Sequence, residues 1–199
     1  MSHHAPADRT PKPMDTNAPK SPAARVLTTE RLDLRRLVAE DAGFILELFN
    51  QPAFLENIGD RGLRTLEDAQ RYILDGPVKS YSENGFGIYL VELRGSGTPI
   101  GISGLVKRDY LEDFDIGFAF HSDFWAQGYA TEAARVSLED GLQTHRLARI
   151  LAIAAVHNLG SQRVLEKIGL RFERMIRIPN GEELQLFATR PAEELQSSP

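Results

Sequence analysis

Two short segments of the chain combine residue types that can do chemistry. The first is a glycine-containing turn, Gln127-Gly128-Tyr129-Ala130-Thr131, which follows an apolar run and leads into helix-forming residues. The start of a helix has free backbone N–H groups and a partial positive charge, so it can hold an anion. Gly128 permits a positive φ or a close approach, Ala130 is the next smallest residue, and the Thr131 hydroxyl can add a donor. The turn therefore predicts an anion site, although short motifs of this kind also occur at helix starts that bind no ligand.

The second segment begins at Asn158. This residue lies just past a predicted strand and heads a predicted helix over 161–168, which Gly169 ends. Asn is a favoured N-cap in any helix, so a cap is the structural interpretation. Ser161 lies one turn further in, where its hydroxyl either bonds to the backbone or is available to a reacting group.

The chain has no cysteine, which excludes disulfides, thiolate metal sites and a cysteine nucleophile.

Two apolar runs place these segments at one edge of a sheet. The runs over 116–120 and 150–156 are short and apolar, which predicts buried strands. The first precedes the turn at Gly128 and the second precedes Asn158, so the order is strand, glycine turn, helix, strand, helix. That order is typical of an α/β core in which a helix N-terminus is aimed at a shared edge.

Periodicity and turn residues predict the remaining elements. Amphipathic helices are expected over 40–50, which Pro52 ends, and from a capping-box pattern at Thr65 through Leu74. Gly76-Pro77 interrupts the second helix, and 79–83 resumes it. Glycine turns at 95–97 and 179–181 predict two hairpins. The strands are expected over 27–37, 86–93, 100–107, 113–120, 150–156, 172–178 and 183–189.

These motifs resemble the GNAT family of acetyl-coenzyme A-dependent N-acetyltransferases. The pyrophosphate loop of that family reads Gln/Arg-x-x-Gly-x-Gly/Ala, and residues 125–130 here read Trp-Ala-Gln-Gly-Tyr-Ala, with Trp125 departing from the first position. The segments 158–170 and 29–35 are similar to the branch of the family that acetylates ribosomal-protein N-termini. The resemblance covers roughly residues 27–189.

The resemblance implies a fold and a cofactor-binding edge. The expected architecture is an α/β (α+β) GNAT fold with a mixed, mostly antiparallel sheet of six to seven strands, splayed between the two central strands and flanked by about four helices. The pantetheine arm of coenzyme A is peptide-like, so it can pair with a sheet edge. By resemblance that edge is Phe118-Ala119-Phe120, and a backbone N–H of this strand polarises the thioester carbonyl.

The resemblance also assigns roles to residues of the last predicted helix. The Asn158 side-chain amide is expected to contact the pantetheine arm. Ser161 is expected to donate a proton to the departing thiolate, because Leu165 stands where many relatives carry a tyrosine. A thiolate leaves readily near neutral pH and needs little acid assistance. Arg163 can meet the 3′-phosphate of coenzyme A.

The general base has three candidates, which are two residues and solvent. An amine arrives mostly protonated and must lose a proton before it attacks. Asp115 lies at the start of the central strand, where relatives often carry a glutamate, and can act through a water molecule if its pKa is raised. His121 follows the same strand and has a suitable unperturbed pKa.

Composition limits the other possibilities. The chain has 199 residues and a formal net charge of −5, which argues against broad nucleic-acid binding and suits a cationic amine. It contains no stretch of about 18 apolar residues and no secretion-signal pattern, so a cytoplasmic protein without membrane or metal is expected. Residues 1–25 are rich in Pro and Ala and are expected to be a disordered tail, followed by one domain over 26–190 and a short tail over 191–199.

The sequence therefore predicts acetyl transfer from acetyl-coenzyme A to a primary amine by direct attack in a ternary complex. The branch resemblance favours a protein N-terminal α-amine as acceptor. A small amine such as a polyamine, an aminoglycoside or an amino acid is the alternative within the same chemistry. A non-catalytic acyl-coenzyme A sensor is the alternative from another class. The oligomeric state is left open between monomer and homodimer.

Overall fold

The computed structural model of the chain describes residues 25–190. The predicted tails therefore lie outside the described residues, except for Arg25, with which the first strand begins. The strands are β1 (Arg25–Thr28), β2 (Leu32–Arg36), β3 (Ile88–Leu93), β4 (Thr98–Val106), β5 (Asp115–Phe120), β6 (Leu151–Ala155), β7 (Arg171–Arg177) and β8 (Glu183–Ala188). The α-helices are α1 (Ala42–Phe49), α2 (Pro52–Asn57), α3 (Leu66–Ile73), α4 (Lys79–Asn84), α5 (Tyr129–Gln143) and α6 (Leu159–Lys167).

The eight strands of residues 25–190 form one sheet in the order β1-β2-β3-β4-β5-β6-β8-β7. Every neighbouring pair is antiparallel except β5 and β6, which are parallel. The mixed, mostly antiparallel α+β architecture is thereby confirmed. The expected count of six to seven strands was one too low, because the single strand predicted over 27–37 is a hairpin that turns where the Thr29 N–H donates to the Leu32 carbonyl.

The helices follow the sequence signals with one exception. Thr65 caps α3 and exchanges bonds with Asp68 as a capping box, and Gly76-Pro77 falls in a π-helical turn that joins α3 to α4. Five helical bodies therefore flank the sheet in the described part of the chain, against the four expected. The additional one is α2, because Pro52 does not merely end α1 but occupies the first turn of a new helix.

Each face of the sheet carries its own hydrophobic core. On one face α5 and α6 contribute buried residues such as Ala134 and Leu165, which pack with Leu34, Ile116 and Phe187 of the strands. On the other face lie α1 and α3, whose buried residues pack on Ile88, Leu90, Ile102 and Ala119. Both helical layers bury apolar side chains against the same strands, so the position of each helix relative to β5 is fixed by packing.

The sheet opens between its two parallel strands. β5 and β6 pair only at Asp115 and Leu151, where the Leu151 N–H donates to the Phe114 carbonyl at 2.9 Å. Beyond that point the two strands separate, which confirms the splay that the family resemblance implied. Within residues 25–190, none of the helices combines the length and the apolar character that crossing a bilayer requires.

Candidate active site

The edge of β5 that faces the gap is formed by Phe118 and Phe120. The His121 N–H donates to the Ile100 carbonyl at 2.9 Å, and β4 pairs with β5 in regular antiparallel register. Since main-chain groups alternate in direction along a strand, Ala119 bonds to β4, whereas Phe118 and Phe120 point into the gap. The predicted edge Phe118-Ala119-Phe120 is thus corrected: Ala119 contributes no main-chain group to it.

The edge of β6 faces the same gap from the other side. The Thr189 N–H donates to the Ile150 carbonyl at 2.9 Å, so alternate residues from Ile150 bond to β8. By the same alternation, Ile153 directs its N–H and C=O groups toward β5, and Ala155 directs its N–H there, while the Ala155 carbonyl accepts from the Asn158 N–H and the Gln162 side chain. Two opposed rows of main-chain donors and acceptors therefore line the gap, and peptide-like groups can bond to them.

A cavity of about 730 Å³ passes through the sheet at this gap. Its lining includes Gly117 and Ala119 on the α1–α3 face of β5, and Ser161 and Leu165 from α6 on the opposite face. Residues from both faces of the sheet line one space, so a ligand on the α5–α6 face can meet a second ligand that enters from the α1–α3 face. The volume is in the range of small-molecule sites.

The first turn of α5 presents free amides beside the gap. The Glu132 N–H makes the first helical bond, to the Gly128 carbonyl at 3.0 Å, and no described residue accepts a bond from the amides of Tyr129, Ala130 or Thr131. Gly128 has a φ of +85°, and Ala126, although not a glycine, has a φ of +58°. Such geometry at a helix start is suited to an anion.

Side chains around this turn pack beside it. The Trp125 indole N–H donates to the Phe120 carbonyl at 2.8 Å, which ties the turn to the end of β5. The Gln127 side chain donates to the Asp123 carbonyl at 3.1 Å, so its amide is engaged within the turn. The Arg31 guanidinium donates to the Gln127 carbonyl at 3.0 Å and lies over the Tyr129 ring. The predicted anion-binding residues are therefore brought together, with their backbone N–H groups as the available donors.

The start of α6 lies at the same end of the gap. β5 and β6 are parallel, so the helices that follow them begin at the same edge of the sheet. The Asn158 side-chain oxygen accepts a bond from the Ser161 N–H at 3.0 Å, which confirms the N-cap. Within residues 25–190 nothing accepts a bond from the Asn158 side-chain nitrogen or the Ser161 hydroxyl, and both residues line the cavity with buried Leu165.

Asp115 lies at the closed end of the gap and is paired with Arg108. The Arg108 Nε is 3.0 Å from both Asp115 carboxylate oxygens, and the side chain of Asp115 is only 1% exposed. Burial raises the pKa of Asp115, and the favourable charge of Arg108 only partly opposes this. The Arg108 Nε–H is shared by both oxygens, and Asp115 lines the cavity.

His121 is placed away from the cavity. Its Nε2 lies 3.2 Å from a Glu47 carboxylate oxygen, and its Nδ1 accepts from the Asp123 N–H at 3.4 Å. It thereby caps the short 3₁₀ turn after β5 and does not appear among the residues that line the cavity. Arg163 is exposed on α6 and has no ion pair within the described chain.

The residues that line the cavity but were not anticipated from the sequence include Arg108, Gly117 and Tyr72. Arg108 pairs with Asp115, and Gly117 lines the cavity on the α1–α3 face of β5, where a Cβ would contact Ile88 at 3.6 Å and Val106 at 3.7 Å. Tyr72 lies on α3 with its ring edge-on to Phe49. An arginine in a polar loop and a tyrosine on an amphipathic helix carry no local signal for a site. No group of three or more metal-binding side chains occurs in residues 25–190.

Comparison with known proteins identifies the family. The model of the acetyltransferase (GNAT) domain matches residues 31–171. The uncharacterized N-acetyltransferase YnaD of Bacillus subtilis is 31% identical over 159 residues, which cover 79% of this chain and 90% of that protein. The crystal structure of a GNAT-family acetyltransferase from Bacillus anthracis is 28% identical, with a TM-score of 0.68 and coverage of 81% of this chain and 95% of that chain.

Two further solved structures share the fold at 19% identity. One is the ribosomal-protein-S5-alanine acetyltransferase of Vibrio fischeri, with a TM-score of 0.65 over 84% of this chain and 97% of that chain. The other is the aminoglycoside acetyltransferase AAC(6′)-Ib in complex with coenzyme A, with a TM-score of 0.67 over 84% of this chain and 98% of that chain. The ribosomal-protein branch is thus one neighbour among several. The domain match and the similarity to YnaD show that the chain belongs to the GNAT acetyltransferase family.

Proposed function

We propose that the protein transfers an acetyl group from acetyl-coenzyme A to a primary amine by direct attack in a ternary complex. The observation that carries the proposal is the gap between β5 and β6, whose two edges offer main-chain groups beside the starts of α5 and α6. The free amides of Tyr129, Ala130 and Thr131 suit a diphosphate, and the edge at Phe118 and Phe120 suits the amide-bearing pantetheine arm.

The proposed chemistry uses a few groups of this chain. The Phe118 N–H donates to the thioester carbonyl, whose oxygen gains negative charge as the neutral amine nitrogen forms the new C–N bond. The C–S bond breaks, and the leaving sulfur takes its proton from the Ser161 hydroxyl or from solvent. The proton that the amine loses passes to Asp115 through water. The position of His121 against Glu47 and Asp123 gives no support to it as the base.

For the acceptor we propose the α-amine of a protein N-terminus, which the similarity of segments 158–170 and 29–35 to the ribosomal-protein branch supports. A small polyamine-like cation is the second candidate. Asp75, Asp109 and Glu182 line the cavity, and none of them forms an ion pair within the described residues. Unpaired carboxylates favour a cationic ligand.

An acceptor panel tests the function. The purified full chain is mixed with acetyl-coenzyme A and, separately, with peptides that begin with alanine or serine, a polyamine, an aminoglycoside and free amino acids, while thiol release is followed. We expect thiol release that depends on a peptide amine, and none from the same peptides with blocked N-termini. Tight coenzyme A binding with no amine-dependent release would instead support the sensor. Thiol release with the polyamine alone would identify a small amine as the acceptor in place of a protein N-terminus, and acetyl transfer would remain the proposed reaction.

Ser161→Ala is expected to lower kcat by about tenfold while leaving the affinity for coenzyme A nearly unchanged. Its hydroxyl acts only as the thiolate leaves, and a good leaving group keeps the effect at the low end for acid catalysis. Ser122→Ala, which removes an exposed hydroxyl from the 3₁₀ turn after β5, is the matched control. Equal kcat values for the two variants would remove the proposed role of Ser161.

Asp115→Asn is expected to lower kcat/KM by about 100-fold near neutral pH, because a general base is lost. In the wild type, activity should fall as the pH drops through the raised pKa of Asp115, since the protonated carboxyl cannot accept a proton. The pH–activity profile of the variant should lack this fall in activity at acid pH, the acid limb of the profile. The control is Asp113→Asn, which changes a carboxylate on the neighbouring loop that pairs weakly with Arg149 at 3.8 Å. This variant should keep the acid limb.

Arg108→Gln provides a second test that leaves the Asp115 carboxyl in place. Removal of the guanidinium takes away an interaction that lowers the pKa of Asp115, so the acid limb should move to higher pH. An acid limb at the same pH in the wild type, in Arg108→Gln and in Asp115→Asn would show that Asp115 is not the base.

A further inference from the structure

Arg31 lies in the turn between β1 and β2 and reaches across to the start of α5. Its Nη1 donates to the Gln127 carbonyl at 3.0 Å, and its Nε and Nη2 lie 2.7 and 2.6 Å from one carboxylate oxygen of Glu132. Its backbone N–H donates to the other oxygen of Glu132 at 3.0 Å, and its guanidinium covers the Tyr129 ring at 4.5 Å. A residue nearly 100 positions away thus contacts Gln127 and Tyr129 of the turn and Glu132 of α5.

The carboxylate of Glu132 completes the contact. It also accepts a hydrogen bond from the Thr29 hydroxyl, so it links both ends of the β1–β2 turn to the first turn of α5. Burial alone would raise the pKa of Glu132, but the bonds from Thr29 and Arg31 outweigh it and lower the pKa. Glu132 therefore stays ionised at neutral pH, and its charge at the first turn also suits the helix dipole.

The position of Arg31 determines which way the turn presents its polar groups. The bond from Nη1 holds the Gln127 carbonyl toward Arg31, although this carbonyl immediately precedes Gly128 and the free amides. A carbonyl oxygen turned toward the amides would place negative charge beside a bound diphosphate. The positive φ values at Ala126 and Gly128 show that the turn adopts an uncommon backbone conformation, which needs support from its surroundings.

We propose that Arg31 and Glu132 are positioning residues that hold the turn at Gly128 in its anion-binding conformation. The inference rests on the proposed acetyl-coenzyme A site. Arg31 does not need to touch the ligand for this role, because its Nε, Nη1 and Nη2 are all engaged by Glu132 and Gln127. The segment 29–35, which the sequence marks only as a family motif, thereby acquires a function in cofactor binding.

The test compares two ligands that differ in the diphosphate. Dissociation constants for coenzyme A and for pantetheine, which has the same thiol arm without the nucleotide and its phosphates, are measured for the wild type, Arg31→Ala, Arg31→Lys and Glu132→Gln. We expect coenzyme A to bind about tenfold more weakly to each variant, in keeping with loss of a partly exposed ion pair and its bonds. Pantetheine affinity should be unchanged. Arg31→Lys keeps the charge but loses the planar fork, so it should resemble Arg31→Ala.

Arg94→Ala is the matched control, because Arg94 donates to the Thr29 carbonyl at 3.2 Å and supports the same β1–β2 turn without contact to Gln127. Its affinity for coenzyme A should equal that of the wild type. Equal losses for coenzyme A and pantetheine in the Arg31 variants would reveal a general structural role and overturn the inference. Wild-type affinity for coenzyme A in those variants would overturn it as well. Failure of the wild type to bind coenzyme A would instead reject the proposed site, and the inference with it.

Discussion

Gly128→Val is expected to weaken coenzyme A binding by about 10- to 100-fold, because a β-branched residue in this backbone region carries about 1–3 kcal/mol of strain and each 1.4 kcal/mol is a factor of ten. Gly128 has a φ of +85° as the N-cap of α5. A Cβ at this position would also lie 3.3 Å from Arg31 Nη2, the atom paired with Glu132. The turn would relax to another conformation, and its amides would no longer converge.

Gly169→Val is the control for backbone strain. Gly169 has a φ of +103° at the far end of α6, and a Cβ there meets nothing within 4 Å. The two variants should lose similar thermal stability, but only Gly128→Val should lose affinity, which calorimetric titration of coenzyme A measures. An unchanged dissociation constant in a folded Gly128→Val protein would show that the turn does not bind the diphosphate.

Phe118→Pro is expected to lower kcat by about 100-fold or more, the size of effect seen when one oxyanion donor is removed. Proline has no N–H, and the N–H of Phe118 points into the gap where the thioester carbonyl is proposed to lie. The ladder between β4 and β5 does not use this group, since Ala119 and His121 make the bonds to β4. The sheet edge at Phe118 can therefore accept proline.

Phe118→Leu separates the donor from the aromatic side chain, which packs partly buried against the α5–α6 core. This variant keeps the N–H and loses only the ring, so its kcat should stay within a few-fold of the wild type. Circular dichroism and thermal unfolding establish that both variants are folded. Equal turnover by folded Phe118→Pro and Phe118→Leu would contradict the role of this main-chain donor.

The sequence contains the local determinants of the site because they depend on short-range backbone chemistry. Gly128 and the helix-forming residues after it predict a helix start, and Asn158 predicts a cap; the structure has both. Period-two alternation locates β3, short apolar runs locate β5 and β6, and Asn180-Gly181 locates the last hairpin. The family resemblance added the one long-range feature, the separation of β5 from β6, which no local pattern encodes.

The features that the sequence did not predict arise from contacts between distant segments, or from residues such as proline that can either end a helix or begin one. The pairing of Arg108 with Asp115 depends on how a polar loop folds back on β5. The ion pair of Arg31 with Glu132 joins residues that are separated by about half of the chain. Pro52 both ends α1 and begins α2, and Phe54 of α2 stacks on Phe49 of α1. Strand alternation also directs the main-chain groups of Ala119 toward β4 and away from the gap, and this can be seen only from the register with β4.

The most direct test of the central claim is an amide chemical-shift titration of ¹⁵N-labelled protein with acetyl-coenzyme A. The account predicts large, saturable shifts for the amides of Phe118 and Phe120 at the gap and of Tyr129, Ala130 and Thr131 at the start of α5. The Ala119 amide, which bonds to β4, should move less than its two neighbours. Saturable binding that leaves these five amides unchanged would contradict the account.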